Sequence, residues 1–147
     1  SYREGRLASL RAAGVRVLHA NALGRPIFGK ELEMLVRRAK IVLSLRYFDH
    51  DTEWKMTRWL GPIANGVLVV SERGGHPDEQ AFWEGGVIFA EPAELMLTVK
   101  TYLMDTQARQ KAATRARELL QSRPEAGLLA PHVAAAAARQ CSEEGAP

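Results

Sequence analysis

Three short runs built almost wholly of apolar residues constrain this chain more than any other feature: Ile41 to Leu45 (IVLSL), Val67 to Ser71 (VLVVS) and Val87 to Ala90 (VIFA). A strand wet on one face alternates apolar with polar residues, whereas a strand covered on both faces reads as a continuous run rich in Val and Ile. A further run, Val15 to Ala20 (VRVLHA), bounded by Gly14 and Asn21, predicts a mostly buried strand ahead of these three. Helical spacing fills the gaps between runs. Leu7, Leu10 and Ala13 recur from Tyr2 to Ala13, with Gly14 as a stop, and Leu32, Leu35, Val36 and Ala39 share one face from Lys30 to Lys40. Met56, Trp59, Leu60 and Ile63 mark a third helix that ends at Asn65-Gly66, a left-handed cap. Gly74 to Trp83 reads as a turn-rich loop, and two last helices carry the stripes Leu95, Val99, Tyr102, Leu103 and Ala108, Ala112, Ala116, Leu119, Leu120. Strands buried on both faces and alternating with amphipathic helices predict an α/β fold. It is a doubly wound parallel sheet with helices on both faces, joined by right-handed crossovers.

The 147 residues suffice for one such domain. The pattern occupies residues 1–122, and 123–147, with Pro124, Pro131 and the alanines Ala134 to Ala138, is expected to be a tail, helical or mobile. With 46% hydrophobic and 25% charged residues the chain belongs with globular proteins rather than disordered ones. Its net charge of +3 is spread along the helices instead of forming a run, which argues against nucleic acid as a partner. Cys141 is the single cysteine, so neither a disulfide framework nor a thiolate metal site is expected, and a cytoplasmic setting fits. No stretch reaches the roughly 18 consecutive apolar residues of a membrane span, although peripheral membrane contact stays open. The chain starts at Ser1 inside a helical pattern, as a fragment would.

In doubly wound sheets ligands bind beyond the carboxyl ends of the strands. Those ends carry the loops Ala20 to Gly24, Arg46 to Asp51 and Ser71 to Gly75. The loop after IVLSL and the helix start that follows it are the richest in chemistry, with Tyr47, Asp51, Thr52, Glu53 and Arg58. Free amides at a helix start attract anions, carboxylates hold hydroxyls, and an aromatic ring offers a shelf for a base. Asp49, His50 and Asp51 read as a turn and cap, because adjacent residues rarely converge on one metal ion; no metal and no cofactor is expected. His19 reads as a satisfied rim residue and His76 as a turn residue, while Trp54, Trp59 and Trp83 read as packing groups. A glycine-rich dinucleotide fingerprint, a phosphate-loop lysine motif and a nucleophile elbow are all absent from the sequence.

The stretch AKIVLSLRYFDHDTEWKMTRWLGPIANGVLVVSERG, Ala39 to Gly74, with GGVIFAEPAELMLTVKTYL and TRARELLQSR after it, resembles the C-terminal, donor-binding domain of GT-B type glycosyltransferases of the glycosyl transferases group 1 family. The resemblance implies a Rossmann-like domain, half of a GT-B fold, that binds a nucleoside diphosphate sugar. An acceptor-binding N-terminal domain of the same protein would complete an enzyme transferring the sugar to a hydroxyl group, and the isolated half would be inactive. Many retaining relatives carry two glutamates flanking seven residues. Glu53 falls on the first position and Gly61, with Pro62 beside it, on the second, where no side chain is left to hold a ribose. Arg58 matches a basic residue often found near the start of this helix, where it would meet phosphate. The family's phosphate-binding basic pair belongs near the domain's first strand, which the resemblance places upstream of Ser1, so it is not assigned to Arg3 or Arg6. The absent second glutamate also supports an alternative reading, a non-catalytic Rossmann-like binding or interaction module derived from a glycosyltransferase.

Overall fold

The structure, a computed structural model, describes residues 1–19, 24–50 and 57–123. Its elements follow in the order α1 (Tyr2–Ala12), α2 (Gly29–Arg38), β1 (Ile41–Ser44), α3 (Thr57–Ala64), β2 (Leu68–Glu72), α4 (Pro77–Trp83), β3 (Ile88–Ala90), α5 (Leu95–Met104) and α6 (Thr106–Ser122). The three expected apolar runs form one parallel sheet in the order β1-β2-β3, with Leu43 opposite Val70 and Val70 opposite Ile88. All five residues of β2 are buried, as a central strand covered on both faces requires.

Side-chain parity on the strands sorts the interior into two cores. Leu68, Val70 and Ala90 meet Leu7 and Leu10 of α1 and Leu95 and Val99 of α5 on one face. Val69, Val87 and Phe89 meet Trp59 and Ile63 of α3, Trp83 of α4, and Ala116 and Leu119 of α6 on the other. Trp59 lies edge-on to Trp83 at 6.3 Å and to Phe89 at 6.0 Å. The result is an α/β, Rossmann-like arrangement with helices on both faces, in agreement with the sequence pattern.

The helix stops read from the sequence have clear geometry. After α3 the Val67 N–H donates to Pro62 C=O at 2.9 Å and the Gly66 N–H to Ile63 C=O at 3.0 Å, with Gly66 at φ +70°. After α1 the pair is Val15 to Leu10 and Gly14 to Arg11, with Gly14 at φ +83°. Both are Schellman closures, which need the left-handed backbone that glycine adopts without a Cβ penalty.

Two expectations are corrected, and a third element is present but less buried than the others. Val15–His19 joins no strand; Val15, Val17 and His19 are half-buried while Arg16 and Leu18 are exposed, so the segment is wet on one side, and the Val15 N–H is already spent on the α1 closure. The supposed loop up to Trp83 contains α4, whose Pro77 at the first helical turn and Asp78 and Glu79 beside it are helix-start signals. The helix expected from Lys30 to Lys40 is present as α2 but has no fully buried residue, and Leu32 is exposed, because α2 packs chiefly on α3 at the margin of the domain. The readings placed on Asp51, Thr52, Glu53, Trp54, Met56, Cys141 and the stretch from Pro124 onward lie outside the described residues.

Candidate functional site

A parallel sheet presents all its strand carboxyl ends on one edge, and here that edge is where the charged groups gather. β2 ends in Glu72, only 1% exposed. A buried carboxylate needs partners, since an unpaired one is strongly disfavoured away from water. Its Oε1 accepts a hydrogen bond from the Tyr2 hydroxyl at 2.6 Å, and its Oε2 accepts one from the Arg46 backbone N–H at 2.7 Å. The Arg46 Nε stands 3.6 Å from the same Oε2. Burial, followed by the bond to Glu72, raises the Tyr2 pKa, keeping the phenol neutral and donating.

Helix α1 lies with its first turn over this edge. Arg3 donates from Nη2 to Leu45 C=O at 3.1 Å, and Arg6 from Nη1 to Pro92 C=O at 3.2 Å, so α1 bridges the ends of β1 and β3. The Arg6 and Arg46 guanidinium carbons lie 4.9 and 5.5 Å from the centre of the Tyr2 ring, within the range of cation–π attraction. Three arginines thus stand at this edge: Arg46 against the buried carboxylate, Arg6 and Arg46 against the Tyr2 ring, and Arg3 on the backbone at the end of β1.

The turn after β1 hangs from the same set. Arg46 donates from Nη1 to Asp49 C=O at 3.2 Å, closing the turn. Tyr47 is 47% exposed. Its ring stands edge-on to Phe48 at 4.6 Å and lies 5.0 Å from the Arg3 guanidinium. Phe48 in turn stacks on His50 at 5.4 Å. Tyr47 thus sits at the carboxyl edge, where the sequence put it. Arg58 is exposed on the first turn of α3, and no hydrogen bond, ion pair or ring contact joins it to Tyr47 or to any other described residue. Asp51, Thr52 and Glu53 are outside the described residues, so the structure brings together no more of the expected set than Tyr47 and its turn.

Beyond β2 an open depression of about 640 Å³ is lined by Arg73, Gly74, Gly75, Gln80 and Glu84 among others. Arg73 reaches Glu91 at 3.4 Å and Glu84 at 3.9 Å. This depression opens beside the loop from Ser71 to Gly75 that the strand-end rule singled out. Among the described residues no group of three or more His, Cys, Asp or Glu is disposed to hold a metal ion, and no helix is long and apolar enough to cross a membrane.

Sequence reasoning missed Glu72, Tyr2 and Arg46. One signal was available: a carboxylate directly ending a continuous apolar run, as in VLVVSE, sits at the mouth of a buried strand and must find partners.

In comparison with known proteins, a family model described as glycosyl transferase-like aligns with residues 5–126, most of the chain. No curated protein and no solved structure matches.

Proposed function

This chain belongs to the glycosyl transferase-like family, and from that premise we propose that it is the donor-binding half of a two-domain, GT-B type glycosyltransferase. The single observation that carries the reading is the arginine-rich carboxyl edge of the β1-β2-β3 sheet, where Arg3 and Arg6 hold the backbone at Leu45 and Pro92 and Arg46 meets the buried Glu72. A nucleoside diphosphate sugar brings negative charge and hydroxyls, and cations with backbone amides stabilise a departing diphosphate. The donor-binding set is Tyr47, Asp51, Thr52, Glu53 and Arg58. Tyr47 offers its half-exposed ring, Glu53 a carboxylate for the sugar, and Arg58 a guanidinium on the first turn of α3 with no partner among the described residues. Residues 1–122 form the binding domain and 123–147 a tail. The acceptor and any general base come from an N-terminal domain, so the isolated chain binds donor without turning it over, in the reducing cytoplasm that a lone Cys141 suits.

The second reading, a non-catalytic binding module derived from such an enzyme, draws on Gly61. It sits inside α3, where a Cβ would meet no described residue within 4 Å, and it leaves the second glutamate position without a carboxylate.

Titration of the 147-residue chain with UDP-, GDP- and ADP-sugars, followed by NMR, tests the donor site. The expected result is saturable shifts in residues 44–58 for one nucleotide class, weakened about tenfold by Arg58→Ala or Glu53→Ala. A folded chain that responds to none of the three sugars contradicts the donor reading and favours the interaction module.

A further inference from the structure

Among the described residues Glu72 is the one charged side chain that is fully buried, and its side-chain hydrogen bonds go to α1 and to the turn after β1. Leu68, Val69 and Val70 of β2 do the packing. A charge retained at such a place is costly unless something depends on it, since an apolar residue of similar volume often serves stability as well or better. What depends on it here is the turn Arg46–His50. The carboxylate takes the Arg46 N–H at 2.7 Å, fixing the backbone where β1 ends. It also faces the Arg46 Nε at 3.6 Å, and that Nε is buried with no hydrogen-bond partner among the described residues, so charge attraction to Glu72 helps hold the guanidinium. The far side of the same guanidinium clasps Asp49 C=O at 3.2 Å. Tyr47 lies between the two clasped residues, and its exposed ring takes the place this turn gives it.

We propose that Glu72 is a positioning residue for ligand binding: acting through Arg46, it sets the turn Arg46–His50 and so presents the Tyr47 ring at the carboxyl edge of the sheet. The inference rests on the donor-site reading above and assigns Glu72 no contact with the ligand. Glu72→Gln separates charge from shape. A glutamine accepts the Arg46 N–H through its Oε1 and donates through Nε2 to the Tyr2 oxygen, which accepts as readily as it donates. Packing and hydrogen bonds survive, and only the hold on the Arg46 guanidinium is lost.

The test uses the 147-residue chain with UDP, GDP, ADP and inorganic pyrophosphate as probes, followed by NMR. Glu72→Gln is expected to leave the amides of β2 and β3 in place, to shift those of residues 46–50, and to weaken the best probe about tenfold. Arg46→Met is expected to weaken it equally, and the double variant no further, because both changes release the same turn. The double variant removes both charges together, so it stays informative if either single variant does not fold. Then a double variant with wild-type affinity overturns the inference. Wild-type affinity in Glu72→Gln, or losses that multiply in the double variant, overturn it as well, while the donor reading stands. A wild-type chain that binds none of the four probes overturns the donor reading and this inference with it.

Discussion

An alanine at position 61 and an alanine at position 86 have opposite expected effects. Gly61 is interior to α3 and a Cβ there meets none of the described residues within 4 Å, so Gly61→Ala removes the entropic cost of a helical glycine and stabilises by about 0.5–1 kcal/mol. At Gly86 a Cβ would lie 2.7 Å from the Cα and 2.8 Å from the backbone N of Ala116. Backbone cannot rotate aside, so Gly86→Ala forces α6 off the sheet and destabilises by about 1–3 kcal/mol. Urea unfolding of the two variants measures both signs. Tyr2 adds a pH dependence. Its folded pKa is raised above 10.0 by burial and by the bond to Glu72, so its contribution is complete below the unfolded value and fades as pH rises through the folded one. Tyr2→Phe is therefore less stable than the wild type at neutral pH, and the gap narrows only as denaturation is followed upward from about pH 10.

Helix α6 starts at Asp105, whose carboxylate accepts the Ala108 N–H at 2.8 Å. Asp105→Ala removes this N-cap and is expected to cost about 1 kcal/mol, seen as a lower thermal midpoint. Signals of this local kind made most elements legible in advance. The two Schellman closures follow from Gly14 and Asn65-Gly66, and IVLSL, VLVVS and VIFA follow from their continuous apolarity. Failures occur where a long-range choice decides. VRVLHA has strand composition, but joining a ladder depends on a free neighbouring edge, which no local pattern encodes. α4 was hidden by the glycines before it, although Pro77, Asp78 and Glu79 carried its start. In the candidate site, Tyr47 was legible because strand-end loops can be located from the strands alone. The hydrogen bonds of Glu72 to Tyr2 and Arg46 span 70 and 26 residues, and only the folded topology brings such partners together.

For the molecule as a whole, stability is graded from the middle of the sheet outward. β2 is buried along its full length and touches both cores, whereas α2 buries no residue completely. Amide hydrogen exchange should find the β2 amides opening only by global unfolding and those of α2 far earlier; equal protection in the two would contradict this grading. The strict division of β2 has a further consequence. Even-numbered residues feed one core and odd-numbered residues the other, with Glu72 pointing to the side where Tyr2 and Arg46 wait. A shift of one residue in pairing would drive that carboxylate among the tryptophans and leave a phenol and an arginine bereft. The acidic end of the strand thereby acts as a proofreading mark during folding, penalising misaligned sheets that a purely aliphatic strand would tolerate.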